Sequence, residues 1–325
     1  MTITRPILLL AAISWLGCGD ASEEPPPAAG AGETTAGEHG GAYAPEAPDT
    51  VHRQVRRIAE GVYTYEYARP EDPVTTVSMF VVTDDGVLVA DGQGNPEETA
   101  LLLDEIARVT DQPVTHLVMA SDHGDHTGGN AAFPESVETY GHPATRAALE
   151  RTAAEEGEPV LLPEHLVSTR EDLVLGGRRI EILFLGRGHT AGDLVVHLPE
   201  ERILFMSEAF LDRVFPLMIT AYPGDWIETL LTAEAMDADT YIAGHGIRGT
   251  IQYSKQDLVR YREAVQQVIA EVRRLHEAGL DVDQAVEQAN FGALAGQADY
   301  VYQAERAVRR VWAELEGELP AAGAP

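Results

Sequence analysis

The sequence predicts an α/β fold that ends in a helical extension, and three observations carry the expectation. Short runs rich in valine, isoleucine and leucine recur between Val62 and Ala243 at the length of buried strands. Segments with apolar residues at helical spacing stand between these runs, so strands and helices alternate in two rounds. From Gln256 to Leu315 the pattern is helical, as two or three amphipathic helices with no strand signal.

In chain order, Val62-Tyr63-Thr64-Tyr65 and residues 77–82 read as strands, and Asp84-Asp85-Gly86 is a turn that leads into the strand Val87-Leu88-Val89-Ala90. Pro96 opens a helix reaching about Arg108, because Leu102, Ile106 and Val109 share one face and proline is favoured in a first turn. Residues 115–120 are a continuous apolar run, as a strand buried on both faces requires. Helices follow over 143–154 and 225–236, and strands over 179–185, 194–198, 203–206 and 241–243. In the tail, Leu258, Tyr261, Val265, Val268, Ile269, Val272 and Leu275 form a packing stripe.

The 325 residues carry 23 basic and 53 acidic side chains, a formal net charge of −30, and Lys255 is the single lysine. Such a chain repels phosphate backbones and anionic membrane surfaces, which excludes nucleic-acid binding by counterion release. Residues 19–50 are built almost wholly of Ala, Gly, Pro, Ser, Thr and seven acids, and they bury too little apolar surface to order themselves. Without those acids and Arg5, 46 acids still face 22 bases, so the acidity belongs to the folded body.

Cys18 is the only cysteine, which rules out an internal disulfide and a thiolate metal cluster. It follows a short n-region and an apolar run from Ile7 to Leu16, too short to span a bilayer and fitting the h-region of an export signal. Leu16-Gly17-Cys18 resembles a bacterial lipoprotein processing site. The expected organisation is therefore a signal peptide over 1–17, a lipid-anchored acidic tether over 18–50, a catalytic-type domain over 51–253 and a helical extension over 254–325. The expected location is an exported, membrane-anchored one, periplasmic or at the outer membrane, with no other membrane contact.

The strongest chemical signal lies where the 115–120 strand empties into Ser121-Asp122-His123-Gly124-Asp125-His126-Thr127-Gly128-Gly129-Asn130. Glycines there let one loop turn sharply and aim several ligands at a point. His189, Glu208 and His245 each follow another apolar run. Imidazoles and carboxylates at strand ends, with no thiolate, suit a borderline divalent cation such as zinc. Each histidine alone reads more readily as a satisfied polar residue. Four at strand ends beside two carboxylates do not.

These motifs, in this order, resemble those of the metallo-β-lactamase superfamily: His-x-His-x-Asp-His, then a His, an Asp or Cys, and a final His. Asp91 at the end of a strand is similar to the family's structural aspartate. The resemblance covers roughly residues 62–249. It implies a four-layer αββα sandwich with the metal site at one edge, and activity as a metallo-hydrolase, with β-lactamase-like, lactonase, esterase or thioesterase chemistry on a small molecule.

Two departures qualify what the resemblance implies. Ser121 stands at the first histidine, so one site keeps only His123 and His189 as imidazole ligands. Glu208 stands at the Asp or Cys and adds a methylene. The resemblance then implies one tightly bound zinc at Asp125, His126 and His245, assisted by Glu208, with the other site weak or empty. Asp125 or a freed His123 accepts the proton of the attacking water. The alternative is a non-catalytic binding lipoprotein that keeps the fold with a reduced site. Lys255, Arg187, Arg213 and Arg248 are candidate substrate-binding cations, and residues 214–223 with Tyr222 and Trp226 a candidate pocket wall.

Overall fold

The computed structural model describes residues 50–157, 160–249 and 253–321. The expected signal peptide, Cys18 anchor and most of the tether lie outside the described residues. Among the described residues no helix is long and apolar enough to cross a membrane.

The first half of the domain holds β1 (His52–Ala59), β2 (Val62–Ala68), β3 (Val74–Thr83) and β4 (Gly86–Ala90). Helix α1 (Pro96–Val109), β5 (Val114–Met119), the single turn α2 (Gly124–Thr127), β6 (Glu138–Gly141), α3 (Pro143–Glu156) and β7 (His165–Leu166) complete it. The second half runs through β8 (Arg170–Leu175), β9 (Arg178–Phe184), β10 (Leu194–Leu198), β11 (Ile203–Leu211), α4 (Pro223–Ala235) and β12 (Thr240–Ile247). The tail is α5 (Lys255–Glu277), α6 (Val282–Gln288) and α7 (Tyr300–Leu315).

The strands form one hydrogen-bonded path in the order β7-β6-β5-β4-β3-β12-β11-β10-β9-β8, with β2 and then β1 on the other side of β3. Strand β3 is the joint, because residues 74–76 pair with β12 while residues 79–83 pair with β4. About this joint the path folds into two facing halves, as three separate cores demonstrate. Leu88, Ala90 and Val118 of the first half pack with Ile182, Val196, Ile203 and Phe205 of the second, which do not pair with them. The alternate residues Val87, Val89, Leu117 and Met119 point the other way, onto Leu102 and Ile106 of α1 and Leu149 of α3. Leu204, Met206 and Tyr241 point outward from the second half onto Trp226 of α4, Val268 of α5 and Val308 of α7. Three interfaces separate four layers, and period-two alternation along each strand builds them. This is the expected αββα architecture, with the helical tail serving as part of an outer layer.

Four strands went unread in the sequence: β1, β6, β7 and β8. β1 and β8 carry little of the apolar alternation that marks a half-buried strand, having charged and partly exposed residues at sheet edges. β6 and β7 span only four and two residues. Parallel pairings of β4 with β5 and of β11 with β12 place the ends of these strands together at one rim, where the polar motifs lie.

Candidate metal centre

The rim is built by strand ends under local strain. Asp91 leaves β4 with φ 63°, and Ser207 inside β11 has φ 47°. The β11 to β12 register slips on both sides of Ser207, a bulge that turns the following Glu208 toward the rim. Asp91 holds the strained parts together: its carboxylate accepts from Ser207 Oγ at 2.5 Å and from the Ala120 amide at 2.8 Å. Gly244 makes the close approach of β12 possible, because a Cβ there would lie 2.4 Å from the Ser207 carbonyl carbon.

All six expected ligands come together in two groups. Asp125, His126, Glu208 and His245 form one, and His123, His189 and Glu208 the other, with the donor atoms of each within 4.8 Å of one another. Glu208 belongs to both. Its Oε1 lies 3.2 Å from His245 Nε2 and 3.0 Å from His189 Nε2, and its Oε2 lies 3.0 Å from His123 Nδ1. The extra methylene therefore lets Glu208 serve both groups, and the site with His123 and His189 has a third donor in this carboxylate. Ser121 is fully buried and donates its hydroxyl proton to Glu208 Oε2, so it steadies the shared carboxylate.

The surrounding hydrogen bonds determine which nitrogen of each ring can bind a cation. His245 Nδ1 donates to the Thr75 carbonyl at 2.8 Å, and His126 Nδ1 faces Asp91 Oδ2 at 3.1 Å. With Nδ1 protonated in both neutral rings, each Nε2 carries a lone pair, and these two nitrogens are 3.1 Å apart. Two facing lone pairs repel unless a proton or a metal ion lies between them. Asp125 Oδ2 stands 3.1 Å from His245 Nε2 and completes a donor set of imidazole and carboxylate that fits a zinc-like cation.

Without a metal, protons answer the same demand. Burial alone would lower the pKa of His123, but the nearby Glu208 carboxylate carries it up to about 10. Burial opposes the charge on His245 and His126 too, yet facing carboxylates raise both. The same imidazoles, against the effect of burial, hold Asp125 and Glu208 below the usual carboxylate range.

Beside the two groups opens a cavity of about 460 Å³, lined among others by Tyr67, Asn95, Leu217 and Ile219. Arg69 is the one arginine or lysine in its lining, and Asp72, Asp125 and Asp299 share that lining. The basic residues named as candidate substrate-binding cations lie outside this lining. Arg187 pairs with Asp225, Arg213 with Asp212, and Arg248 donates to carbonyls of Asp72, Thr50 and Arg69. Lys255 opens α5 and does not line the cavity. Trp226 is fully buried, donates to the Ala209 carbonyl and sets its ring edge against His189, while Tyr222 lines a second cavity of about 960 Å³.

Among the described residues, five histidines outside the two groups stand against carboxylates: His197 against Glu181 at 2.9 Å, His52 against Glu66 at 3.2 Å, His276 against Glu316 at 2.5 Å, and His165 and His116 against Glu138 at 3.6 and 4.0 Å. These contacts join segments far apart in sequence or across strands, so no local pattern announces them. Arg69, Asp72 and Asp299 were likewise unread, since single polar residues in loops carry no periodic signal, and Thr220 was read only as part of the 214–223 pocket wall, without its contact to His123.

The superfamily model "Metallo-beta-lactamase superfamily" matches residues 72–245, the stretch that carries every ligand named above. Among curated proteins, the type 2 metallo-β-lactamase of Bacteroides fragilis is 28% identical over 222 residues, covering 65% of this chain and 87% of that one. The alpha subunit of a 2,4-dinitroanisole O-demethylase from Nocardioides sp. (strain JS1661) is 23% identical over 182 residues, spanning about half (54%) of that protein and 55% of this one. Among solved structures, a metallo-β-lactamase from Pontibacter korlensis superposes with a TM-score of 0.58 at 23% identity, covering 66% of this chain and 99% of that one. A Pseudomonas aeruginosa metallo-β-lactamase in its mono-zinc form superposes at 0.57 and 20% identity, covering 68% and 97%. Fold, ligand order and the extent of the family match agree, and the chain belongs to the metallo-β-lactamase superfamily.

Proposed function

We propose that this superfamily hydrolase uses zinc to open a small, neutral or weakly charged carbonyl compound: an ester, lactone, lactam or thioester. The observation that carries the reading is the pair of imidazole lone pairs facing each other at 3.1 Å beside Asp125, Glu208 and an open cavity. The tighter site is assigned to Asp125, His126 and His245 with Glu208, and a weaker one to His123, His189 and Glu208. A divalent cation bound there supplies Lewis acidity toward a carbonyl oxygen and acidifies water.

The protein's own residues supply the rest. Asp125 has a side chain 46% exposed, borders the cavity and is held in its ionised form, so its carboxylate is placed to accept a proton from water. Both ring nitrogens of His123 already have partners, which favours metal binding over base catalysis as the role of that residue. The lining bears on substrate charge: Asp72, Asp125 and Asp299 outnumber Arg69, which is 75% exposed and loosely paired with Asp72 at 3.5 Å, and this balance favours a neutral or weakly charged substrate.

The test is a hydrolysis screen of the zinc-loaded chain on neutral aryl esters, lactones, thioesters and a chromogenic β-lactam. Turnover is expected on a neutral substrate, abolished by chelation and reduced at least about 10²-fold in Asp125→Ala. Stoichiometric zinc without turnover on any of them sinks the hydrolase and leaves the binding lipoprotein. Anchoring through an acylated Cys18 belongs to the same proposal and rests on Leu16-Gly17-Cys18. Cys18→Ala is expected to move the protein from the membrane to the soluble fraction, and an unchanged distribution rejects the anchor.

A further inference from the structure

Thr220 lies between β11 and α4 and belongs to neither group of donor atoms. Its hydroxyl donates to the His189 carbonyl at 3.2 Å and also lies 2.9 Å from His123 Nε2. A hydroxyl has one proton to give. Thr220 therefore accepts at the second contact, and His123 Nε2–H donates. With its proton on Nε2, the neutral His123 ring turns the Nδ1 lone pair toward Glu208 and toward His189 Nε2, 3.0 Å from each.

Thr220 is in turn gripped from the C-terminal helix. Arg310 of α7 donates through Nη2 to the Thr220 carbonyl at 2.7 Å and through Nε to the Ala221 carbonyl. Its guanidinium also faces the Tyr222 ring, with 5.3 Å to the centroid, while Arg187 lies 3.9 Å from the same centroid. One turn further along α7, Glu314 accepts from the Gly224 amide at 3.0 Å. Residues 310 and 314 share a helix face, so a single face of α7 holds the segment from Thr220 to Gly224. The imidazoles of the other group have their own neighbours outside this segment: His245 Nδ1 donates to the Thr75 carbonyl, and His126 Nδ1 faces Asp91 Oδ2 at 3.1 Å.

We propose that Thr220 and Arg310 are positioning residues for a metal ion at His123, His189 and Glu208. Arg310 fixes Thr220, and Thr220 selects the His123 tautomer whose Nδ1 is a ligand. The inference rests on the metal-site reading above and extends it: a helix outside the family-matched residues 72–245 sets the affinity of one group and leaves the other alone.

Cobalt(II) titration of the full chain, followed by visible absorption, tests it. Wild type is expected to bind two equivalents, and His189→Ala identifies the absorption belonging to the His123 group. Thr220→Val should weaken that equivalent about 10- to 100-fold and leave the Asp125 group unchanged. Thr220→Ser keeps the acceptor and should restore wild-type affinity and spectrum. Arg310→Met should shift the same equivalent in the same direction, with Arg310→Lys milder. A Thr220→Val protein that titrates like wild type, an equal loss at both groups, or a wild type lacking the second equivalent overturns the proposal. Absence of cobalt from the Asp125 group in wild type counts instead against the hydrolase reading.

Discussion

At the scale of single residues, charge compensation around Glu208 is the central fact. A carboxylate that is 1% exposed among four imidazoles needs positive charge nearby, and in the metal-free protein protons supply it. Because His123 is raised to about 10, its ring holds a proton at pH 8 that a metal must displace. The sign follows: zinc binding releases at least one proton at pH 8, and apparent affinity weakens as pH falls. In the metal-free protein, the stability that protonated His123 contributes is complete below its ordinary pKa and is lost as pH rises through about 10. Titration calorimetry at pH 8 in two buffers of different ionisation enthalpy reads the released protons directly. Identical heats in both would contradict the assignment. The candidate ligand residues themselves were legible in the sequence, because His123, Asp125 and His126 crowd one loop and the others end apolar strands. The role of Ser121 was not, since only the folded chain brings its hydroxyl to Glu208, far away in sequence.

At the scale of elements, the site depends on how closely β11 and β12 approach. The bulge at Ser207 re-aims Glu208, and Gly244 leaves room for it. In Gly244→Ala the new Cβ would meet backbone atoms of Ser207 and Glu208 at 2.4 to 2.8 Å, with no flexible side-chain end to move aside. The expected cost is about 1–3 kcal/mol in stability, read by chemical denaturation, together with weaker zinc binding. A change below about 0.5 kcal/mol would show that the strands have slack there. Helices α1, α3 and α4, and the helical character of 256–315, were readable from period and proline placement. Strands β1 and β8 were not, because sheet edges tolerate charge and their pairing is settled by neighbours.

At the scale of the whole molecule, 46 acids against 22 bases leave a net charge of 22 − 46 = −24 on a body that must stay folded against its own repulsion. Raising salt from 0.01 to 0.15 M shortens the screening length from about 30 to about 8 Å, and the melting temperature of the metal-free protein should rise with it. A flat or falling melting temperature would mean that local ion pairs already offset the repulsion. By itself the sequence determined the fold class, the order of the candidate ligands and the absence of a thiolate metal cluster, because apolar period and residue type are local properties. Only the tertiary structure decided that Glu208 belongs to both donor groups, which lone pair each imidazole presents, and that α7 reaches back to Thr220. Those outcomes depend on contacts between segments distant in the chain, which only packing into four layers brings together.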